Sequence, residues 1–567
     1  MEDEKIKGEI FCKMKNMWVK VTEHGFSVFS GGESYFEIMP GTSVSGAVKD
    51  IDSKEIDFSV KETEDGFLAE WKTSSNLWKE KIYKIEVKEE YLLYTVTVKG
   101  EGKIEYAEFF NGAEEDGNIF YDASGYFMPQ VSIEGHVNDY HNMDCDGCVG
   151  IDTFSPTVTC FAFDMEGNDK MLGVGIAPKP GEYNFEQFEY KSTGAGCIFA
   201  CDFKGYTQVS GEFTLPGILF LPGYDENDVL KSYSEWMYKF GGCKRVKPEA
   251  PRWWHGPFFC GWGDQWIASK DRQSFDWADE AAGGEVVSYG AKDAANEKEY
   301  TIMMENVAEK GIDFSMIIID DKWQKEYGTL EVDEKKWPDL RRYIDEWHKK
   351  GKKVTLWYNL WGCEGLDKDE CILKDGEAVG LDPTNPKYIK RIEKAIKKLL
   401  SDEEGCYNAD GFKLDFANLI PRGKDLEIYE KGVYGIELLK RNIENIFRIA
   451  KNVKPDALIT HTDVHPYFGE VTDMIRLHDY YAKSNKGWSN MYNRSFIAKA
   501  AFGEDLLIDT DAPGGFRRRD AMQCVRHQPD FGVPVLYGIK LYSFFTNEDW
   551  EEVRKIYNEY SENLKTE

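Results

Sequence analysis

The sequence predicts an antiparallel β-sandwich over residues 1–245 followed by a (β/α)8 barrel over residues 246–567. Three observations predict it: a period-two hydrophobic pattern in the first half, a switch after Pro248 and Pro251 to short apolar runs separated by helical segments, and a count of eight such units.

In the first half Ile56, Phe58 and Val60 alternate with Asp57, Ser59 and Lys61, and Tyr83, Ile85 and Val87 alternate with Lys84, Glu86 and Lys88. Successive strand side chains point to opposite faces, so this alternation is the mark of half-buried antiparallel strands. Gly31-Gly32, Asp65-Gly66 and Pro180-Gly181 supply turns, and the first amphipathic helix spans 227–240. In the second half the predicted strands are 258–262, 315–319, 354–358, 411–416, 457–460, 474–477, 506–508 and 533–536. Helices are predicted over 298–310, 340–350, 389–399, 438–450, 492–501, 519–526 and 548–564. Continuous apolar strands between helices mean a sheet covered on both faces, and a doubly wound sheet is disfavoured because Trp262-Gly263-Asp264-Gln265-Trp266 is no phosphate-binding turn.

The 567 residues carry 101 acidic against 70 basic side chains, a formal charge of −31. Such a surface repels phosphate, which excludes a nucleic-acid partner and favours a neutral ligand. No apolar run reaches the ~18 residues of a membrane span, and the charged start, Met1-Glu2-Asp3-Glu4-Lys5, is no export signal, so the expected location is cytoplasmic. The 12 cysteines are then read as reduced thiols. Cys145-x-x-Cys148 and Cys197-x-x-x-Cys201 lack the second CxxC pair that a zinc site calls for. A homo-oligomer is compatible with everything in the sequence.

Acids stand at the carboxyl ends of the predicted strands, where barrels hold their sites: Asp264 after strand one, Asp320 and Asp321 after two, Asp415 at four, Asp479 after six, Asp509 and Asp511 after seven. Trp262, Trp266, Trp323, Trp357, Tyr358, Trp361 and Phe416 crowd the same ends. Aromatic faces beside carboxylates suit a neutral sugar, with its apolar C–H faces and many hydroxyl donors. Two carboxylates flanking a glycosidic bond suffice for its hydrolysis. Lys413 and Asp415, two apart on one strand, share a face, and a cationic neighbour keeps a carboxylate ionised as a nucleophile requires.

Residues 314–323 (FSMIIIDDKW), 411–416 (GFKLDF) and 261–266 (GWGDQW) resemble the glycoside hydrolase family 36 pattern of α-galactosidases and raffinose synthase-like enzymes, a family related to families 27 and 31. The stretch 327–361, with Trp337-Pro338-Asp339 and His348-Lys349-Lys350-Gly351, is similar to family 31 or family 36 alike. The resemblance implies Asp415 as nucleophile, Asp479 as general acid/base, Asp320 and Asp321 as ligands of sugar hydroxyls beside Trp323, and Lys413 reaching a ring hydroxyl. It also implies Arg476 as the arginine that precedes the acid/base; Trp262, Asp264, Trp357, Tyr358, His461 and Asp511 are read from their places at or near strand ends as further pocket contacts. The activity implied is retaining, exo-acting hydrolysis of a terminal α-linked sugar, foremost an α-galactoside, with no metal or organic cofactor. Three stretches depart from family 36: Arg476-Leu477-His478-Asp479-Tyr480, His461-Thr462-Asp463-Val464-His465, and residues 509–516 (DTDAPGGF), the last closer to the family 31 pattern. An α-glucosidase or α-xylosidase of the family 31 kind, a transglycosylase, and a silent carbohydrate-binding protein are the alternatives.

Two other features invite readings. His461-x-Asp463-x-His465 has the alternation of a metal site, against which a polar pocket wall is the nearer reading. Arg517-Arg518-Arg519 reads as a solvated helix start rather than an anion site, and the loop 280–297 as a lid or a flexible connection.

Overall fold

The computed structural model describes the chain apart from residues 1–9, 32, 39, 54, 112–118, 121–126, 130–158, 165–168, 193–196, 247–248, 271–289, 478–486, 513–516 and 567. The period-two segments form antiparallel sheets. Strands Ile10–Met14, Met17–Thr22, Gly25–Ser30, Glu33–Ile38 and Ile119–Phe120 make a five-stranded sheet. An eleven-stranded sheet is organised on two long partners, Leu92–Phe109 and Cys197–Thr214. The two sheets share an aromatic core: Phe26 of the first meets Phe220 edge-on at 5.9 Å and lies 6.2 Å from Tyr94 of the second. Within that core the buried Lys81 ammonium is neutralised by Asp50 and by Asp52, 2.6 Å away, as a charge cut off from water requires.

The barrel strands are Phe258–Cys260, Met316–Ile319, Lys353–Asn359, Gly411–Asp415, Leu458–His461, Met474–Arg476, Leu507–Asp509 and Val535–Leu536. All are parallel, in sequence order from one to seven, and the eighth pairs back onto the first. The seam between seven and eight is a single bridge, Asp509 to Val533. Helices Glu297–Lys310, Leu340–Lys349, Pro386–Leu400, Gly435–Val453, Gly487–Phe502, Arg518–Phe531 and Asn547–Thr566 cover it. Their starts are written in local chemistry: Asn296, Asp339 and Asn385 each accept a first-turn N–H, and Pro386 stands where no hydrogen bond is lost. Gly411 opens the fourth strand because a Cβ there would stand 2.0 Å from the Leu458 carbonyl oxygen. Trp254, Phe258, Cys260, Met316, Ile318, Leu458, Met474 and Val535 belong to the cluster that fills the barrel interior beneath the strand ends. None of the described helices is long and apolar enough to cross a membrane.

Candidate active site

Strand alternation and register decide which side chains reach the mouth. Asn359 lies opposite Asp415 across strands three and four, and Arg476 opposite Asp509 across six and seven. Asp415 ends the fourth strand. Its Oδ1 accepts from Arg476 Nη2 at 2.8 Å and from the Phe416 backbone N–H at 3.0 Å, and its Oδ2 accepts from the Trp357 indole at 3.0 Å. Phe416 adopts φ 63°, a left-handed conformation costly for a bulky residue, and its ring meets Trp357 edge-on at 5.6 Å. Arg476 is buried and forked: its Nη1 donates to Asp511 at 2.8 Å, so one guanidinium joins two carboxylates.

The second cluster lies on strands one, two and four. Lys413 donates to Asp320 Oδ2 at 2.8 Å, and the Cys260 thiol donates to the same oxygen at 3.1 Å. Burial disfavours the Lys413 ammonium, but the neighbouring Asp320, Cys260 and Asp415 together outweigh it and hold Lys413 well above the usual lysine range. Tyr300 fixes Asp320 from behind, its hydroxyl accepting the Asp320 N–H at 2.7 Å. Asp321 accepts from the Tyr327 hydroxyl at 2.8 Å, and burial pushes its carboxyl up to about 7. Asp509, fully buried, accepts the Asp511 N–H at 2.8 Å; burial and the negative Asp511 push it up as well.

Several expectations are corrected by this geometry. Lys413 neutralises Asp320, and the cation against Asp415 is Arg476. Asp264 is spent on the backbone N–H groups of Ile539 and Leu541, both at 3.0 Å, and braces the segment after strand eight. Trp323 is wholly buried, its indole donating to the Trp357 carbonyl at 2.8 Å. Tyr358 faces the helix layer, 3.3 Å from the Tyr388 hydroxyl, because it neighbours Trp357 on a strand and must point the other way. His461 is buried between Thr472 at 3.1 Å and Asp463 at 3.3 Å. Trp262 packs partly buried against the barrel-interior cluster. Asp479 lies outside the described residues, as do Cys145, Cys148, the loop 280–289 and residues 513–516. Cys201 is a buried free thiol.

The alternating histidines do not converge: His465 turns to Tyr233 at 3.0 Å, and burial holds it neutral, down at about 3. Among the described residues the acids close enough to share an ion are Asp367, Asp369 and Glu370, already ion-paired with Lys387 and Arg391. Arg518 pairs with Asp549, and Arg519 is exposed beside Asp520. Sequence reasoning passed over Cys260, Tyr300 and Tyr327; only the strand-end place of Cys260 was a signal for any of them.

The fold agrees with the comparisons. Residues 286–501 match the model of the Glycosyl hydrolases family 31 TIM-barrel domain, so the match falls on family 31 where the resemblance had leaned to family 36. No curated protein matches the chain. A family 31 sulfoquinovosidase from E. rectale superposes with a TM-score of 0.55 at 12% identity, covering 96% of this chain and 82% of its own. A cycloalternan-degrading enzyme from Trueperella pyogenes has a TM-score of 0.52 at 10% identity, with 98% and 82% covered. The cycloalternan-forming enzyme of Listeria monocytogenes has a TM-score of 0.52 at 11% identity, with 98% of this chain but 54% of that one covered. At these identities the likeness is one of fold; the match of residues 286–501 to a family 31 TIM-barrel domain is what makes the chain a glycosidase.

Proposed function

We propose that the protein is a retaining, exo-acting glycosidase that cleaves a terminal α-linked sugar by double displacement. One observation carries the reading: a carboxylate at the end of the fourth barrel strand, Asp415, held by a buried guanidinium at 2.8 Å and an indole N–H at 3.0 Å. Both donors favour the ionised form and fix the direction of its lone pairs, which is what attack on an anomeric carbon needs. Asp479, three residues beyond Arg476, protonates the departing oxygen and then deprotonates the incoming water. Asp320 and Asp321 accept sugar hydroxyls, with Lys413 donating to the first at 2.8 Å.

The preferred sugar is a terminal α-galactoside, whose axial and primary hydroxyls suit an adjacent acid pair. A second reading, an α-glucosidase or α-xylosidase, draws support from the family 31 match over the barrel. A panel of aryl α-glycosides separates them by which one releases its phenol. For the mechanism, Asp415→Gly should lower turnover at least about a thousandfold, and azide should then restore product as the β-glycosyl azide. Azide on Asp479→Gly should instead yield the α-azide. Normal turnover by Asp415→Gly would end the proposal.

A further inference from the structure

The segment from Phe416 to Tyr434, which follows Asp415 and leads into the helix Gly435–Val453, is bound to the N-terminal half between Gly423 and Tyr434. The Glu186 carboxylate, 4% exposed, accepts from the Gly423 N–H at 2.5 Å and from the Tyr434 hydroxyl, and pairs with Lys204 at 3.3 Å. Tyr206 stacks on Tyr434 at 4.1 Å; its hydroxyl donates to the Gly423 carbonyl at 3.1 Å and accepts the Leu426 N–H. Asn184 accepts the Tyr434 N–H at 3.0 Å.

The N-terminal sheet is itself deformed at this place. The strand Cys197–Thr214 runs in register with Leu92–Phe109 except between Asp202 and Thr207, where extra residues bulge out and Lys204 and Gly205 take φ 50° and 83°. A bulge re-aims side chains at the cost of ladder hydrogen bonds, and this one delivers Tyr206 to the barrel segment and Lys204 to the Glu186 that holds it. At the other end of that segment Phe416 is held left-handed while its N–H fixes the Asp415 carboxylate. Such a conformation persists in a bulky residue only where the surroundings over-determine it.

From these contacts we infer that Glu186 and Tyr206 are positioning residues for the nucleophile: the N-terminal domain clamps the 416–434 segment and thereby keeps Phe416, and with it the Asp415 carboxylate, in the reactive orientation. The inference rests on the reading of Asp415 as nucleophile. It goes beyond that reading by giving the first domain a share in the chemical step.

The test uses the full chain, with Glu186→Ala, Glu186→Gln, Tyr206→Phe and Asp415→Ala, an aryl α-glycoside that the wild type turns over, and amide hydrogen exchange. Glu186→Ala should raise exchange across 416–434 and lower kcat about tenfold or more with KM within about twofold, because the sugar contacts stay and only the attacking group moves. Glu186→Gln keeps the accepting oxygen and should recover most of kcat. Tyr206→Phe should give a milder form of the same pattern, and it stands in if Glu186→Ala does not fold. Unchanged exchange in the segment, or raised exchange with wild-type kcat, overturns the inference while an inactive Asp415→Ala leaves the catalytic reading intact. An active Asp415→Ala fails both.

Discussion

Asp321, like Asp509, is a buried strand-end acid whose carboxyl the fold pushes up. Its carboxyl is pushed up to about 7 because burial outweighs the nearby Lys292, while an unfolded chain would hold it at the ordinary 3.8. The folded state therefore favours the protonated form, and this acid costs stability increasingly as pH rises from about 4 to about 7. Asp321→Asn should accordingly gain thermal stability over the wild type, with the gain growing through that window and levelling off above it. Thermal melts across pH check the sign; a gain that shrinks as pH rises would refute it. If Asp321 also accepts a sugar hydroxyl, kcat/KM of the wild type should inflect near pH 7, and the inflection should vanish in the variant.

At the scale of elements, the foot of the fourth strand matters as much as its tip. Asp410 immediately precedes Gly411–Asp415 and gathers four neighbours: His348 at 2.6 Å, Lys353 at 2.9 Å, Lys454 at 3.1 Å and the Val354 N–H at 2.9 Å. One side chain so ties strand three, strand four and the ends of the two helices Leu340–Lys349 and Gly435–Val453. Burial by itself would raise its pKa, but the hydrogen bond from His348 and the charges of Lys454, His348 and Lys353 hold it down at about 2. The stability it contributes is complete above its unfolded value and fades as pH falls towards 2. Asp410→Asn should cost about 2 kcal/mol at pH 7 by this linkage, and the deficit should close near pH 2. Denaturant melts at the two pH values measure both.

At the scale of the molecule, the N-terminal sheets and the barrel share structure that neither completes alone. The first N–H groups of the helix Gly435–Val453 are capped across the interface, Ile436 by the Phe185 carbonyl at 3.3 Å and Glu437 by the Tyr183 carbonyl at 3.0 Å. Tyr183 stacks on Tyr467 at 3.9 Å, and Glu437 accepts from the Gly181 N–H at 3.2 Å and the Tyr467 hydroxyl at 2.8 Å. The proposed division of the chain after residue 245 thus separates two sequence patterns that these contacts join. Calorimetry should show a single thermal transition; two resolved transitions would mean that the halves unfold independently.

The local pattern determined the order of strands and helices, the change of architecture near residue 250, and the presence of acids at the strand ends, because period and caps are properties of neighbours in the chain. Strand alternation also contained the orientation of Tyr358, opposite to that of Trp357, although a count of strand-end aromatics treated the two alike. Tertiary structure alone decided the pairing: Lys413 with Asp320, 93 residues away, Arg476 with Asp415, 61 residues away, and Glu186 with Gly423, 237 residues away. Which cation meets which carboxylate depends on barrel register and closure, and no periodicity in a single segment encodes a distance between strands that only the closed barrel brings together.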